Sequence, residues 1–246
     1  AGPLPAPPPR VGSGGPFGAG QAQAVAQKPG VDEVIACMDK MHAEGRRVVC
    51  INMGTIYYYQ PQDYAHMVQA LHMIHEQNPN VAFLWKIAQR PKHVQNIPSE
   101  DEAALPPYVR RLSWIPSMTA VMEHPALAVM MHHGGGNSLN ECLAYGIPQF
   151  CISQWVDTHD IGLCIRHSGV GLWSEYSPDF VPEDICSQLL QLVEDKDHTF
   201  RHTALSWKLK TQQAGGTKFA ADLIQSYVTD YTYAGGSSKA PLPHAM

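Results

Sequence analysis

Two histidines, three glycines and a short polar run stand together at His132-His133-Gly134-Gly135-Gly136-Asn137-Ser138, with Glu141 one turn further on. The glycines let the backbone turn sharply and let a ligand come close. Asn137 or Ser138 is a residue type that caps a helix, and Leu139, Cys142 and Leu143 at i, i+3 and i+4 give that helix an inner face. A helix start combines unpaired amides with the positive end of the helix dipole, and both favour phosphate. The run is therefore a candidate diphosphate cradle. It has neither the G-x-G-x-x-G spacing of a dinucleotide loop nor the lysine of a P-loop. Ser138 and Glu141 also have the spacing of a capping box, in which the carboxylate would serve the helix rather than a ligand.

The surrounding pattern supplies the elements to hold such a loop. Leu127 to Met131 is uninterrupted apolar sequence, as in a parallel strand buried on both faces, and Gly146 with Pro148 ends the helix that follows. Further strands are predicted at Val48–Ile51, Val81–Lys86, Val109–Trp114, Gln149–Ile152 and Val170–Trp173. Helices are predicted from Val31 to Gly45, from Pro61 to about Asn78, through about His167, from Pro182, from Thr199 to Gln212 and from Thr217 to Tyr231. Alternating strands and helices imply an α/β fold: a Rossmann-like, doubly wound parallel sheet of about six strands with helices on both faces, in a single domain. Ligands in such sheets lie outside the carboxyl ends of the strands, where Trp114, His133, Asn137, Ser138, Glu141 and Asp157 all fall. Residues 1–30, with seven prolines and seven glycines, read as a disordered linker, 31–234 as the domain and 235–246 as a disordered tail.

His133-Gly134-Gly135-x-Asn137-Ser138-x-x-Glu141, flanked by Trp114-Ile115-Pro116, His124-Pro125, Gly146-Ile147-Pro148 and Asp157, resembles the nucleotide-sugar motif of family 1 UDP-dependent glycosyltransferases of the two-domain GT-B type. The flavour is that of fungal sterol or small-molecule glucosyltransferases. The resemblance covers roughly residues 47 to 232 and implies the C-terminal, donor-binding half of an inverting enzyme. It implies that Trp114 stacks on uracil while the Ile115 backbone meets the uracil edge, and that Gly54-Thr55 lies near the phosphates. Ser117, where the family has Gln, and Glu141 would contact ribose. His133 would donate to the diphosphate, and the amides around Gly135, Gly136, Asn137 and Ser138 would cradle it. Asp157-Thr158, in place of an Asp-Gln pair, would meet the sugar hydroxyls, unless one of them merely caps its helix. The donor is then a UDP-sugar carrying a hexosyl group for a small-molecule or lipid acceptor, with no metal and no other cofactor. The acceptor half and the base it carries are expected outside this chain, in cis or on a partner; His159 and His167 are weaker substitutes for that base. The alternative is a non-catalytic nucleotide-sugar-binding subunit that needs a separate acceptor-domain chain. A nicotinamide-dependent dehydrogenase is disfavoured by the missing glycine fingerprint.

Composition agrees. The 246 residues carry a net charge of -5, with 44% hydrophobic and 16% charged residues, so nucleic acid is a poor partner. No apolar run reaches the ~20 residues that cross a bilayer. The six cysteines lack C-x-x-C spacing and the thirteen histidines lack zinc spacing, so reduced thiols in a cytoplasmic protein are expected.

Overall fold

The computed structural model describes residues 30–99 and 105–233. The predicted linker (Gly30 apart) and tail lie outside those residues. Six strands form one sheet: β1 (Arg47–Asn52), β2 (Val81–Lys86), β3 (Val109–Leu112), β4 (Leu127–His132), β5 (Gln149–Cys151) and β6 (Gly171–Trp173). Their order is β3-β2-β1-β4-β5-β6, and every pair is parallel. Eight helices precede, connect or follow them among the described residues: α1 (Val31–Ala43), α2 (Pro61–Gln77), α3 (Met118–Glu123), α4 (Gly136–Tyr145), α5 (Val156–Ser168), α6 (Pro182–Glu194), α7 (Thr199–Gln213) and α8 (Gly216–Tyr233).

Period-two alternation in each strand feeds two cores. Val49 and Ile51 of β1, Phe83 and Trp85 of β2, and Val129 and Met131 of β4 face α2 and α6. Val48, Cys50, Ala82, Leu84 and Met130 face α1, α3 and α4. A third cluster packs α5 and α4 over Cys151 and Val170. Both faces of the sheet are covered, which is why the central strands β1, β2 and β4 are apolar except at their ends.

Strand order reverses between β1 and β4, whose last residues, Asn52 and His132, are register partners. A crevice opens beyond the strands at such a switch point. The two glycine turns of the sequence, at Gly54 and Gly134–Gly136, leave the sheet from those two adjacent ends.

Three predicted boundaries differ. β3 stops at Leu112, so Trp114 lies beyond the strand. Ser117 then opens the unpredicted α3, accepting a hydrogen bond from the Ala120 amide at 3.2 Å. The cap of α4 is Gly135, neither Asn137 nor Ser138, because the helix begins two residues before those side chains could serve as caps. No capping box joins Ser138 to Glu141.

Candidate nucleotide-sugar site

His132 anchors the loop after β4. Its ring is fully buried; Nε2 donates to Gln149 Oε1 at 2.9 Å, and Nδ1 accepts from the Gly134 amide at 3.0 Å. Burial pushes its pKa down to about 4, so the ring is neutral at pH 7 and keeps that tautomer. Gly134 has φ +88°, and a Cβ there would stand 2.7 Å from the Thr158 carbonyl oxygen. The first glycine is thus required both by its backbone angle and by the close approach of α5.

His133, the next residue, is half-buried and points to the β1 side. A Cβ on Gly54 or on Gly135 would come within 2.7 Å of its ring, so two glycines seat the imidazole. Trp155 meets it edge-on, with ring centroids 5.2 Å apart. Its Nδ1 is buried with no hydrogen-bond partner among the described residues. Its pKa is lowered by burial and by the Lys86 ammonium, against an opposing pull from Asp157. A neutral imidazole whose buried nitrogen is unpaired calls for a partner.

Beyond it, α4 starts without any side-chain cap. The first amides of a helix have no intrahelical acceptor, so Gly136, Asn137 and Ser138 present N–H groups along the positive end of the dipole. Gly136 and Asn137 are exposed, and a Cβ on Gly136 would meet nothing within 4 Å. Only the Gly134 amide of this loop is taken up by a side chain, that of His132. Glu141, one turn on, is half-buried, and desolvation raises its pKa.

The neighbouring strand ends contribute the remainder. After β1, Gly54 has φ +86° and its amide donates to Asn52 Oδ1 at 3.1 Å. Its carbonyl accepts from Lys86 Nζ at 2.5 Å, while Arg90 donates to the Thr55 carbonyl at 2.6 Å. After β3, Trp114 is 60% exposed while Ile115 is buried in the core. After β5, Asp157 is exposed in the first turn of α5.

Thr158 is a correction. Its hydroxyl accepts from the amides of Gln154 and Trp155 at 3.0 and 2.9 Å and donates to the Trp155 carbonyl at 2.6 Å. The residue is 2% exposed. With its hydrogen bonds committed to closing the start of α5, Thr158 cannot reach a sugar. Ser117 is likewise engaged as the α3 cap, although its hydroxyl proton is still available to donate. His124 sits apart, buried between Asp39 and the Ala126 amide. His159 packs edge-on to Trp173, and His167 lies eight residues further along α5, about 12 Å from that end.

The sequence gives Lys86 no role of its own, because a lysine ending an apolar strand looks the same in a plain core strand. The signal was the length of the run: a lysine at the carboxyl end of a central strand, in this fold, ends where ligands bind.

Residues 92–218 match the family model described as erythromycin biosynthesis protein CIII-like, C-terminal domain. Erythritol-mannosyl-transferase 1 of Mycosarcoma maydis is 37% identical over 120 residues, 48% of this chain and 20% of that protein. UDP-glycosyltransferase 84A1 of Arabidopsis thaliana is 30% identical over 181 residues, 68% of this chain and 35% of that protein. Among solved structures, Os79 from O. sativa in complex with U2F and trichothecene superposes with a TM-score of 0.63 at 16% identity, over 86% of this chain and 48% of that one. The chain therefore spans well under half the length of these curated relatives.

Proposed function

The chain belongs to the erythromycin biosynthesis protein CIII-like C-terminal domain family, and from that premise we propose that it is the donor-binding half of a UDP-dependent glycosyltransferase. The observation that carries this is the start of α4: a helix capped by a bare glycine, with exposed first residues, beside the half-buried imidazole of His133. A diphosphate fits that arrangement, because it is an anion that accepts several N–H bonds at once. Relatives named as UDP-glycosyltransferase and erythritol-mannosyl-transferase support a hexosyl donor.

The roles follow from position. Trp114, exposed beyond β3, stacks on uracil with its face, and the Ile115 backbone meets the uracil edge. The Gly54-Thr55 turn and the amides of Gly136, Asn137 and Ser138 flank the diphosphate, to which His133 donates. Glu141 accepts from the ribose hydroxyls, and the exposed Asp157 accepts from the sugar. In the transfer, an acceptor oxygen attacks the anomeric carbon, the bond from that carbon to the diphosphate breaks, and UDP leaves with the electron pair. The charge that develops on UDP is met by fixed amides and by His133, which are pre-oriented and need no reorganisation. These donors are N–H groups rather than carboxylates, so the reading calls on no metal. The base that takes the acceptor's proton belongs to the acceptor half, in cis or on a partner chain. The cysteines are free thiols, four of them buried among the described residues, which supports a cytoplasmic setting. No described helix is long and apolar enough to cross a membrane.

Titration calorimetry with UDP tests this. Binding with a dissociation constant below about 1 mM, ~4 kcal/mol, is expected. No heat of binding at millimolar UDP would overturn the reading.

A further inference from the structure

Lys86 is 4% exposed, and a buried ammonium is costly unless it is held. It is held at two points. Nζ donates to the Gly54 carbonyl at 2.5 Å and lies 5.5 Å from the centroid of the Trp114 indole. Because Lys86 is buried and Trp114 is 60% exposed, the ammonium occupies the protein side of the indole and leaves the other face open. On the Gly54 side the contact continues: Gly54 lies so close to His133 that a Cβ would touch the imidazole. Trp114, Lys86, Gly54 and His133 therefore form one contiguous line from the end of β3 to the end of β4. Within the turn, the trans peptide directs the Thr55 N–H away from the ammonium that holds the Gly54 carbonyl. Burial and the nearby Arg90 lower the lysine pKa, and the Lys86 charge in turn lowers that of His133, so the line is coupled electrically as well as by contact.

We propose that Lys86 is a positioning residue of the nucleotide site: its ammonium braces the inner face of Trp114 and pins the Gly54 turn, and so sets the separation between the base-stacking end and the diphosphate end. This rests on the reading that a uridine nucleotide spans those two ends. A cation over an indole stabilises its geometry without touching the base. Losing it loosens the stacking platform, and losing the Gly54 contact loosens the wall behind His133. A ligand that uses both ends suffers more than one that uses the base end alone.

The test is titration of uridine and UDP against the wild type, Lys86→Met, Trp114→Ala and the variant that combines the two. Lys86→Met keeps the apolar stem and removes the charge. It is expected to weaken uridine about fivefold and UDP about twentyfold, and the UDP loss is expected to shrink to about fourfold when Trp114 is already absent, because the brace then has nothing to hold. Thermal unfolding establishes that each variant is folded. If Lys86→Met does not fold, Lys86→Gln offers a shorter polar side chain that likewise lacks the charge; uridine should again weaken about fivefold. Unchanged affinities in a wild type that binds UDP would reject the role of Lys86 and leave the nucleotide site standing. A full UDP loss in the Trp114→Ala background, or uridine untouched in both lysine variants, would also reject it, since the lysine would then not act through the indole. A wild type that binds neither ligand removes both the site and the role.

Discussion

The turns β4-α4 and β5-α5 are built on one plan and finished in opposite ways. Each takes a buried parallel strand into a helix at the carboxyl edge of the sheet. After β5, the Thr158 hydroxyl accepts from the Gln154 and Trp155 amides, Ser153 donates to the Thr158 carbonyl at 2.7 Å, and Trp173 donates to Ser153 at 3.0 Å. The protein itself satisfies the amides that lead into α5. After β4, side chains are withdrawn: Gly135 caps α4, Gly136 has open space around it, and the side chain that does reach back, His132, takes only the first amide. A lead-in bare of side-chain partners beyond Gly134, next to one that a threonine hydroxyl closes, marks where a ligand can complete the hydrogen bonding.

That contrast can be broken from the open side first. In Gly134→Val, a side chain meets the Thr158 carbonyl at 2.7 Å in a backbone conformation unfavourable to β-branched residues. UDP affinity should fall by more than about 100-fold, with lost stability visible in thermal unfolding. A variant that binds UDP normally would mean the loop geometry is not what holds the ligand.

Acid comes next, through His132. Its pKa is about 4 in the folded chain against 6.5 when unperturbed, so between those values the unfolded chain binds the extra proton. Stability from this group is present above pH 6.5 and is lost as pH falls towards 4, by as much as ~3 kcal/mol. Denaturant unfolding of the wild type and His132→Gln across that range should show the shallower pH dependence in the variant.

His133→Ala sharpens the comparison, since it removes the group proposed to meet the ligand and leaves the loop's anchor. A loss of about tenfold in UDP affinity is expected, roughly the ~1.5 kcal/mol of a hydrogen bond to a charged partner. It should exceed the loss in His132→Ala among folded molecules; the reverse order would mean that the two histidines have exchanged roles. Thr158→Val probes the closed turn. It should lower stability by about 1–3 kcal/mol by stranding two amides, yet change UDP affinity less than about twofold. Smallest of all, a chelator should leave UDP affinity where it was.

Much of this was legible in the chain itself. Apolar runs located most of the strands, because a strand buried on both faces has little freedom of composition. The glycine run located the open turn, because few other residues accept its angles. Capping was not legible. Asn137 and Ser138 are good cap types and Thr158 a good ligand type, but residue type says what a side chain can accept, not which amide it faces. The actual start of α4 at Gly136 turned the first pair into helix body, and the depth of α5 against Gly134 turned the last inward. Ser117 and the six-residue α3 escaped for a similar reason, since so short a helix has no periodicity to read. Lys86 was hidden by its position, as one charged residue closing an apolar strand. Its meaning came only from the Gly54 carbonyl and the Trp114 ring lying within reach.

The most direct measurement is an amide-resolved NMR titration of the chain with UDP. The open turn should respond and the closed one should stay silent: the Gly136, Asn137 and Ser138 amide resonances shift and saturate together, while those of Gln154 and Trp155 remain in place. Saturable shifts at Gln154 and Trp155 with none at Gly136 to Ser138 would contradict the account at its centre.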